Sequence, residues 1–127
     1  MPAIRLSIMA SRPRGASRPK PAPTPELLAV VARRFRVLAD PARLAILHEL
    51  QAGERTVSEL VEATGLLQGT LSKHLQTLHD AAFVQRRREG QFVFYALADE
   101  RVLMLCEQMC GRIEDETDAA RRLLRRR

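Results

Sequence analysis

Residues 56–97 read TVSELVEATGLLQGTLSKHLQTLHDAAFVQRRREGQFVFYAL, and this stretch decides the fold. Ser58 to Thr64 has the composition of a short helix. Gly65 follows, a residue that lets a helix end in the left-handed conformation at no steric cost. Leu66 and Leu67 cross a tight turn, and a second helix is predicted from about Gln68 to about Asp80. Its apolar residues Leu71, Leu75 and Leu78 are spaced i, i+4, i+7, so one stripe packs inward. The other face carries Gly69, Lys73, Gln76 and Thr77, flanked by Thr70 and Ser72, with no acid among them. Val84 to Arg88 and Gln91 to Leu97 are strand-like, rich in Val, Phe and Tyr. Glu89-Gly90 punctuates them, with Gly suited to the left-handed residue of a bulged hairpin turn.

A small helix, a turn, a polar helix and a hairpin form a winged helix-turn-helix. A polar-basic face of that kind enters a DNA major groove, where Gln pairs with adenine and Lys meets guanine or phosphate. Taken alone, the face is equally an ordinary solvated surface. The hairpin favours DNA, because Arg86, Arg87 and Arg88 lead into its turn and can straddle a phosphate backbone or reach a minor groove. The expected contacts are therefore Gln68, Gly69, Thr70, Ser72 and Lys73 in the groove, Gln76 and Thr77 further along, and the three arginines on the wing.

Outward from this unit, Thr24-Pro25-Glu26 is a helix start, followed by the apolar stripe Leu27, Val30, Val31, Phe35 and Leu38. Asp40-Pro41 repeats the start signal, and Leu44, Leu47 and Leu50 continue inward until Gly53. Asp99 can cap a last helix with Val102, Leu103, Cys106, Met109, Cys110 and Ile113 on one face. Acidic residues Glu114, Asp115, Glu116 and Asp118, then Arg121, Arg122 and Arg125 to Arg127, suit a helix dipole, with the final turns expected to fray. The fold class is α+β and mostly helical, of the order ααααββα. Residues 1–23 form a basic arm expected to be flexible, 24–113 the winged domain and 114–127 a charged helical extension.

At 127 residues the chain suits one small domain with tails, a size often stabilised by pairing. The net charge of +6 is concentrated in the arm, where Arg5, Arg12, Arg14, Arg18 and Lys20 supply five of the six units. The remaining 16 basic and 15 acidic residues nearly cancel, so the DNA argument rests on local arginines rather than on the overall charge. No stretch is long enough to span a membrane, and Arg5 and Arg12 interrupt any signal-peptide core, so a cytoplasmic location is expected. Two cysteines fit a reducing compartment. No Ser-His-Asp set, phosphate-binding glycine loop or placed carboxylate pair suggests an enzyme.

The run Phe35-Arg36-Val37-Leu38-Ala39-Asp40-Pro41-Ala42-Arg43-Leu44-Ala45-Ile46-Leu47 resembles the opening of ArsR-family repressors. Thr56 to Leu60, Gly65 to Leu75, Arg88-Glu89-Gly90 and Tyr95-Ala96-Leu97 continue the resemblance, collinear from about Leu27 to Ile113. It implies a homodimeric winged-helix repressor whose first and last helices form the dimer interface. It also implies a pseudo-palindromic double-stranded DNA operator and an inducer, often a metal ion, that loosens the grip. Two departures stand out. The position that commonly holds a Ser N-cap before the recognition helix is Leu67. The family's best-known cysteine site falls on a helix that here reads Ser58-Glu59-Leu60-Val61-Glu62, and its Asp and two His site on the last helix retains only Asp99.

No cofactor is demanded by the residues. The one candidate is a soft metal ion or arsenite at Cys106 and Cys110, four apart on one helix face, with further ligands from a partner chain. An interchain disulfide is a related option. The plainer reading makes both cysteines small buried hydrophobes. His74, at the edge of the apolar stripe, is expected to pack or touch phosphate rather than bind metal, and His48 and His79 are scattered singles expected to be structural. A reading from another class, a winged helix that binds protein instead of DNA, would favour an acidic or apolar recognition face.

Overall fold

The computed structural model describes residues 20–125. Most of the expected basic arm, together with Arg126 and Arg127, lies outside the described residues. The chain divides into two units, residues 1–30 and 31–127. The Thr24 hydroxyl accepts the Leu27 amide at 3.2 Å and opens helix α1, Pro25–Leu38.

The remaining elements follow from local signals. The Asp40 carboxylate accepts the amides of Ala42 and Arg43 at 2.8 and 3.2 Å and starts helix α2, Pro41–Glu49. These bonds, Arg43's first, hold the Asp40 carboxyl below its ordinary range. A 3-10 turn, Leu50–Ala52, ends at Gly53. Strand β1, Arg55–Thr56, leads directly into helix α3, Val57–Thr64. A reciprocal cap starts α3: the Glu59 amide donates to the Thr56 hydroxyl at 3.2 Å, and the Thr56 amide donates to the Glu59 carboxylate at 3.0 Å. Gly65 ends it at φ 73°, the left-handed conformation expected of it.

Helix α4, Gln68–Asp80, matches the expected recognition helix at both ends. Strands β2, Val84–Glu89, and β3, Phe92–Leu97, make the wing, and helix α5 runs Arg101–Arg125. The order of helices and hairpin is the expected one, with one addition. β1 pairs with β3, so the sheet has three antiparallel strands in the order β1-β3-β2. Two residues are too short a run to show alternation, which is why the strand was not foreseen. The turn also differs from expectation. Glu89 pairs with Phe92, leaving Gly90 and Gln91 as a two-residue connection without a bulge. Gly90 has φ 60° and Gln91 no positive φ, which fits a II′ turn with glycine in its first central position. Helix α5 is continuous to Arg125, and Arg112 and Glu116 pair along it at 3.1 Å, one turn apart.

Among the described residues the largest fully buried side chains are Ile46, Leu47, Leu60, Leu71, Leu75 and Leu78. The three leucines of α4 thus anchor it against α2 and α3, while Val84, Tyr95, Val102 and Leu103 close the core from the wing and α5. Buried leucines on one side of α4 force the opposite side outward, which is how the core sets the candidate site. Among the described residues no helix is long and apolar enough to cross a membrane.

Candidate nucleic-acid interface

Burial of Leu71, Leu75 and Leu78 turns Gln68, Gly69, Thr70, Ser72, Lys73 and Gln76 to solvent. Thr77 is half-buried and its hydroxyl donates back to the Lys73 carbonyl at 3.1 Å, so it lies at the edge of the exposed face. The helix begins without a side-chain cap. Leu67 occupies the N-cap with extended backbone and its side chain 79% exposed. The first α4 amides have no acceptor inside the helix, which leaves donors and the positive end of the helix dipole facing outward.

Gln76 is not free at the tip of its face. Its amide nitrogen donates to Asp80 at 2.7 Å, and its oxygen accepts from Arg86 at 3.2 Å. This chain of bonds ties the base of the wing to the recognition helix. His74 is half-buried on the inner edge of α4, with Nδ1 3.5 Å from the Arg43 guanidinium, whose Nε donates to the Val37 carbonyl at 2.6 Å. It packs against an arginine, in keeping with the sequence reading.

The three wing arginines separate. Successive residues of a strand point to opposite faces, so Arg86 and Arg88 lie on the side of buried Val84, which packs toward α4. Arg87 leaves from the other face and is held by Glu54 and Glu89. Glu54 was not anticipated, because a lone acid in a loop carries no signal of a partner 33 residues away.

Cys106 is half-buried and Cys110 exposed, both free thiols on α5. Burial, with the neighbouring Cys110 adding to it, pushes the Cys106 thiol above its ordinary range. Among the described residues no group of three or more His, Cys, Asp or Glu side chains is placed to hold a metal ion.

A leucine-anchored helix whose outer face is free of acids from Gln68 to Gln76, beside a hairpin carrying arginines, defines a winged helix-turn-helix module of the DNA-binding class. Known proteins agree. The model of the arsR family of bacterial regulatory proteins matches residues 40–86. The arsenical resistance operon repressor of Bacillus subtilis is 39% identical over 87 residues, which cover 67% of this chain and 83% of that repressor. A "probable mercury resistance operon repressor" of Streptomyces lividans is 46% identical over 71 residues, 56% of this chain and 57% of that protein. Among solved structures, the homodimeric winged helix-turn-helix DNA-binding domain of a possible ArsR-family regulator from Mycobacterium bovis aligns with a TM-score of 0.66 at 35% identity. That alignment covers 84% of this chain and 94% of the other. The chain belongs to the ArsR family, and it is a DNA-binding transcriptional regulator rather than an enzyme.

Proposed function

We propose that two copies of the chain form a repressor that reads a pseudo-palindromic operator and is released by a thiol-directed inducer. In this reading α4 lies in the major groove with Gln68, Gly69, Thr70, Ser72 and Lys73 toward the bases and adjacent backbone. The uncapped α4 amides meet a phosphate, and Arg86 and Arg88 follow the neighbouring backbone. The observation that carries the reading is the α4 face itself, exposed and acid-free from Gln68 to Gln76 opposite three fully buried leucines.

Pairing is supported by apolar side chains left in solvent. Val31 and Phe35 on α1, and Met104, Leu105, Met109 and Ile113 on α5, are each more than a third exposed. Leu27, Leu28 and Val30 earlier on α1 are exposed as well. A small soluble domain rarely leaves so many large apolar groups uncovered, and a second copy would cover them. Two copies would also bring two Cys106/Cys110 pairs into one assembly, enough sulfur for a soft ion or arsenite. Repressors of mercury and arsenical resistance operons among the relatives support that choice of inducer.

The test is a mobility-shift titration on the protein's own upstream DNA at several salt concentrations. Binding should be specific, and Lys73→Ala should weaken it and lower the salt slope by roughly 1, as loss of one phosphate-neutralising charge does. The same assay with arsenite, zinc, cadmium and an oxidant should show release of the wild type and none of the Cys106→Ser/Cys110→Ser variant. Release that survives the double substitution removes the thiol-directed inducer.

A further inference from the structure

Arg87 is bound more fully than any other described wing side chain. Its Nε donates to Glu54 Oε2 at 2.7 Å and its NH2 to Glu54 Oε1 at 3.0 Å, a fork-on-fork pair. Its NH1 donates to Glu89 Oε2 at 2.7 Å. The guanidinium carbon lies 4.5 Å from the centroid of the Phe94 ring. All three nitrogens are thus committed and one flat face is covered, with two acids facing one cation.

The position of these groups in the sheet matters more than their number. Phe94 sits on the central strand, paired with Arg87 on β2 and with Thr56 on β1. Glu54 immediately precedes β1 on the far edge. The Arg87–Glu54 pair therefore crosses the whole sheet over Phe94 and joins its two edges. Both partners respond as a formed pair should. Hydrogen bonding to Arg87 holds the Glu54 carboxyl below its ordinary range, and hydrogen bonding to Glu54, then Glu89, raises Arg87. Isolated exposed ion pairs contribute little, but a bidentate pair with a second carboxylate and an aromatic seat belongs to the group that does.

We propose that Arg87 is a positioning residue of the wing. With Glu54 and Phe94 it forms a strut that fixes the hairpin, so that Arg86 and Arg88 on the opposite face are presented to DNA at a set distance from α4. The inference rests on the DNA-binding reading above and adds to it a division of labour among three adjacent arginines. One sets the angle and two make contact.

Simple electrostatics and the strut make opposite predictions for Glu54→Gln. Removing an acid near a polyanion should tighten binding if charge alone matters. Loosening a strut should weaken it. Arg87→Lys discriminates again, because lysine keeps the charge a phosphate needs but cannot reproduce the planar fork.

The experiment measures anisotropy of a labelled upstream duplex with the full chain carrying Glu54→Gln or Arg87→Lys, and amide exchange of the free proteins. Each variant should bind roughly threefold to fivefold more weakly, the upper range for a well-formed exposed ion pair, with an unchanged salt slope. Amide exchange should quicken across residues 86–93 while the α4 amides stay protected. Glu54→Gln binding as tightly as wild type or tighter, Arg87→Lys retaining full affinity, or exchange that quickens throughout the protein, would each overturn the strut. A wild-type protein without specific DNA binding would instead overturn the functional reading, and the exchange measurement, which uses no DNA, would still judge the strut.

Discussion

At the scale of single residues, the chain meets its turns with different degrees of comfort. Gly65 and Gly90 adopt positive φ where glycine does so freely. Ala82 adopts φ 64° without that freedom, the one non-glycine residue to do so among those described. It lies just past the end of α4, where the Phe83 amide donates to the Leu78 carbonyl at 2.9 Å and the Ala82 amide to the His79 carbonyl at 3.0 Å. These two bonds close a Schellman motif, whose left-handed position usually holds glycine. An alanine there costs roughly 1–2 kcal/mol of backbone strain. Glycine would remove that strain but carry about 0.4–1 kcal/mol of extra unfolded-state entropy. Ala82→Gly should therefore stabilise the protein slightly, and a thermal melt should shift upward by up to a few degrees. A fall in the midpoint would show that the alanine methyl, not the turn, dominates here. Since Ala82 is exposed and off the proposed DNA face, operator affinity should be unchanged.

At the scale of elements, what could be read in the sequence depended on length. Helix α4 spans thirteen residues, enough for its leucines to repeat and for its polar face to be assigned. Leu75 is fully buried, so Leu75→Ala should cost about 2–5 kcal/mol and lower the urea midpoint, while an exposed change such as Ser72→Ala should leave the midpoint nearly in place. Equal effects of the two would refute the assigned faces. Strand β1 spans two residues and offers no period to read, although Thr56 and Glu59 carried a capping-box spacing that marks the start of α3. The wing was legible as a hairpin because Val, Phe and Tyr cluster around a glycine. The separation of Arg87 from Arg86 and Arg88 also follows from the period of a strand. Its binding by Glu54 does not, because that contact depends on how β1 and β2 flank β3. The free cap at Leu67 was read directly, since a leucine has no acceptor to offer. Cysteine spacing placed Cys106 and Cys110 on one helix, but only the three-dimensional packing distinguishes the half-buried thiol from the exposed one.

At the scale of the whole molecule, acid and self-association probe different parts of the assembly. Asp40, Glu54, Glu59 and Asp99 are all held below their ordinary carboxyl range, by caps at Asp40 and Glu59 and by arginines at Glu54 and Asp99. A carboxyl with a lowered folded-state value binds its proton more tightly when unfolded, so its stabilisation is complete above the ordinary values of 3.8 and 4.5 and is lost as pH falls below them. The melting midpoint should then be flat near neutrality and fall steadily below about pH 4.5, and a midpoint insensitive to acid would contradict these bonds. Pairing makes a separate demand. Phe35 lines an open cleft of about 690 Å³ with Leu105, Met109, Gly111, Arg112 and Asp115. Phe35 and Met109 are 52% and 61% exposed, and neither belongs to the buried core. Met109→Glu should therefore leave the single chain folded but place a charge where a second copy would sit. Sedimentation should show a monomer with the wild-type circular dichroism spectrum. Operator binding should fall by about two orders of magnitude or more, because linking two reading heads supplies a gain of that size. A dimeric Met109→Glu protein would move the interface off this part of α5. A monomer that still bound the operator at full affinity would mean that one recognition helix and one wing suffice.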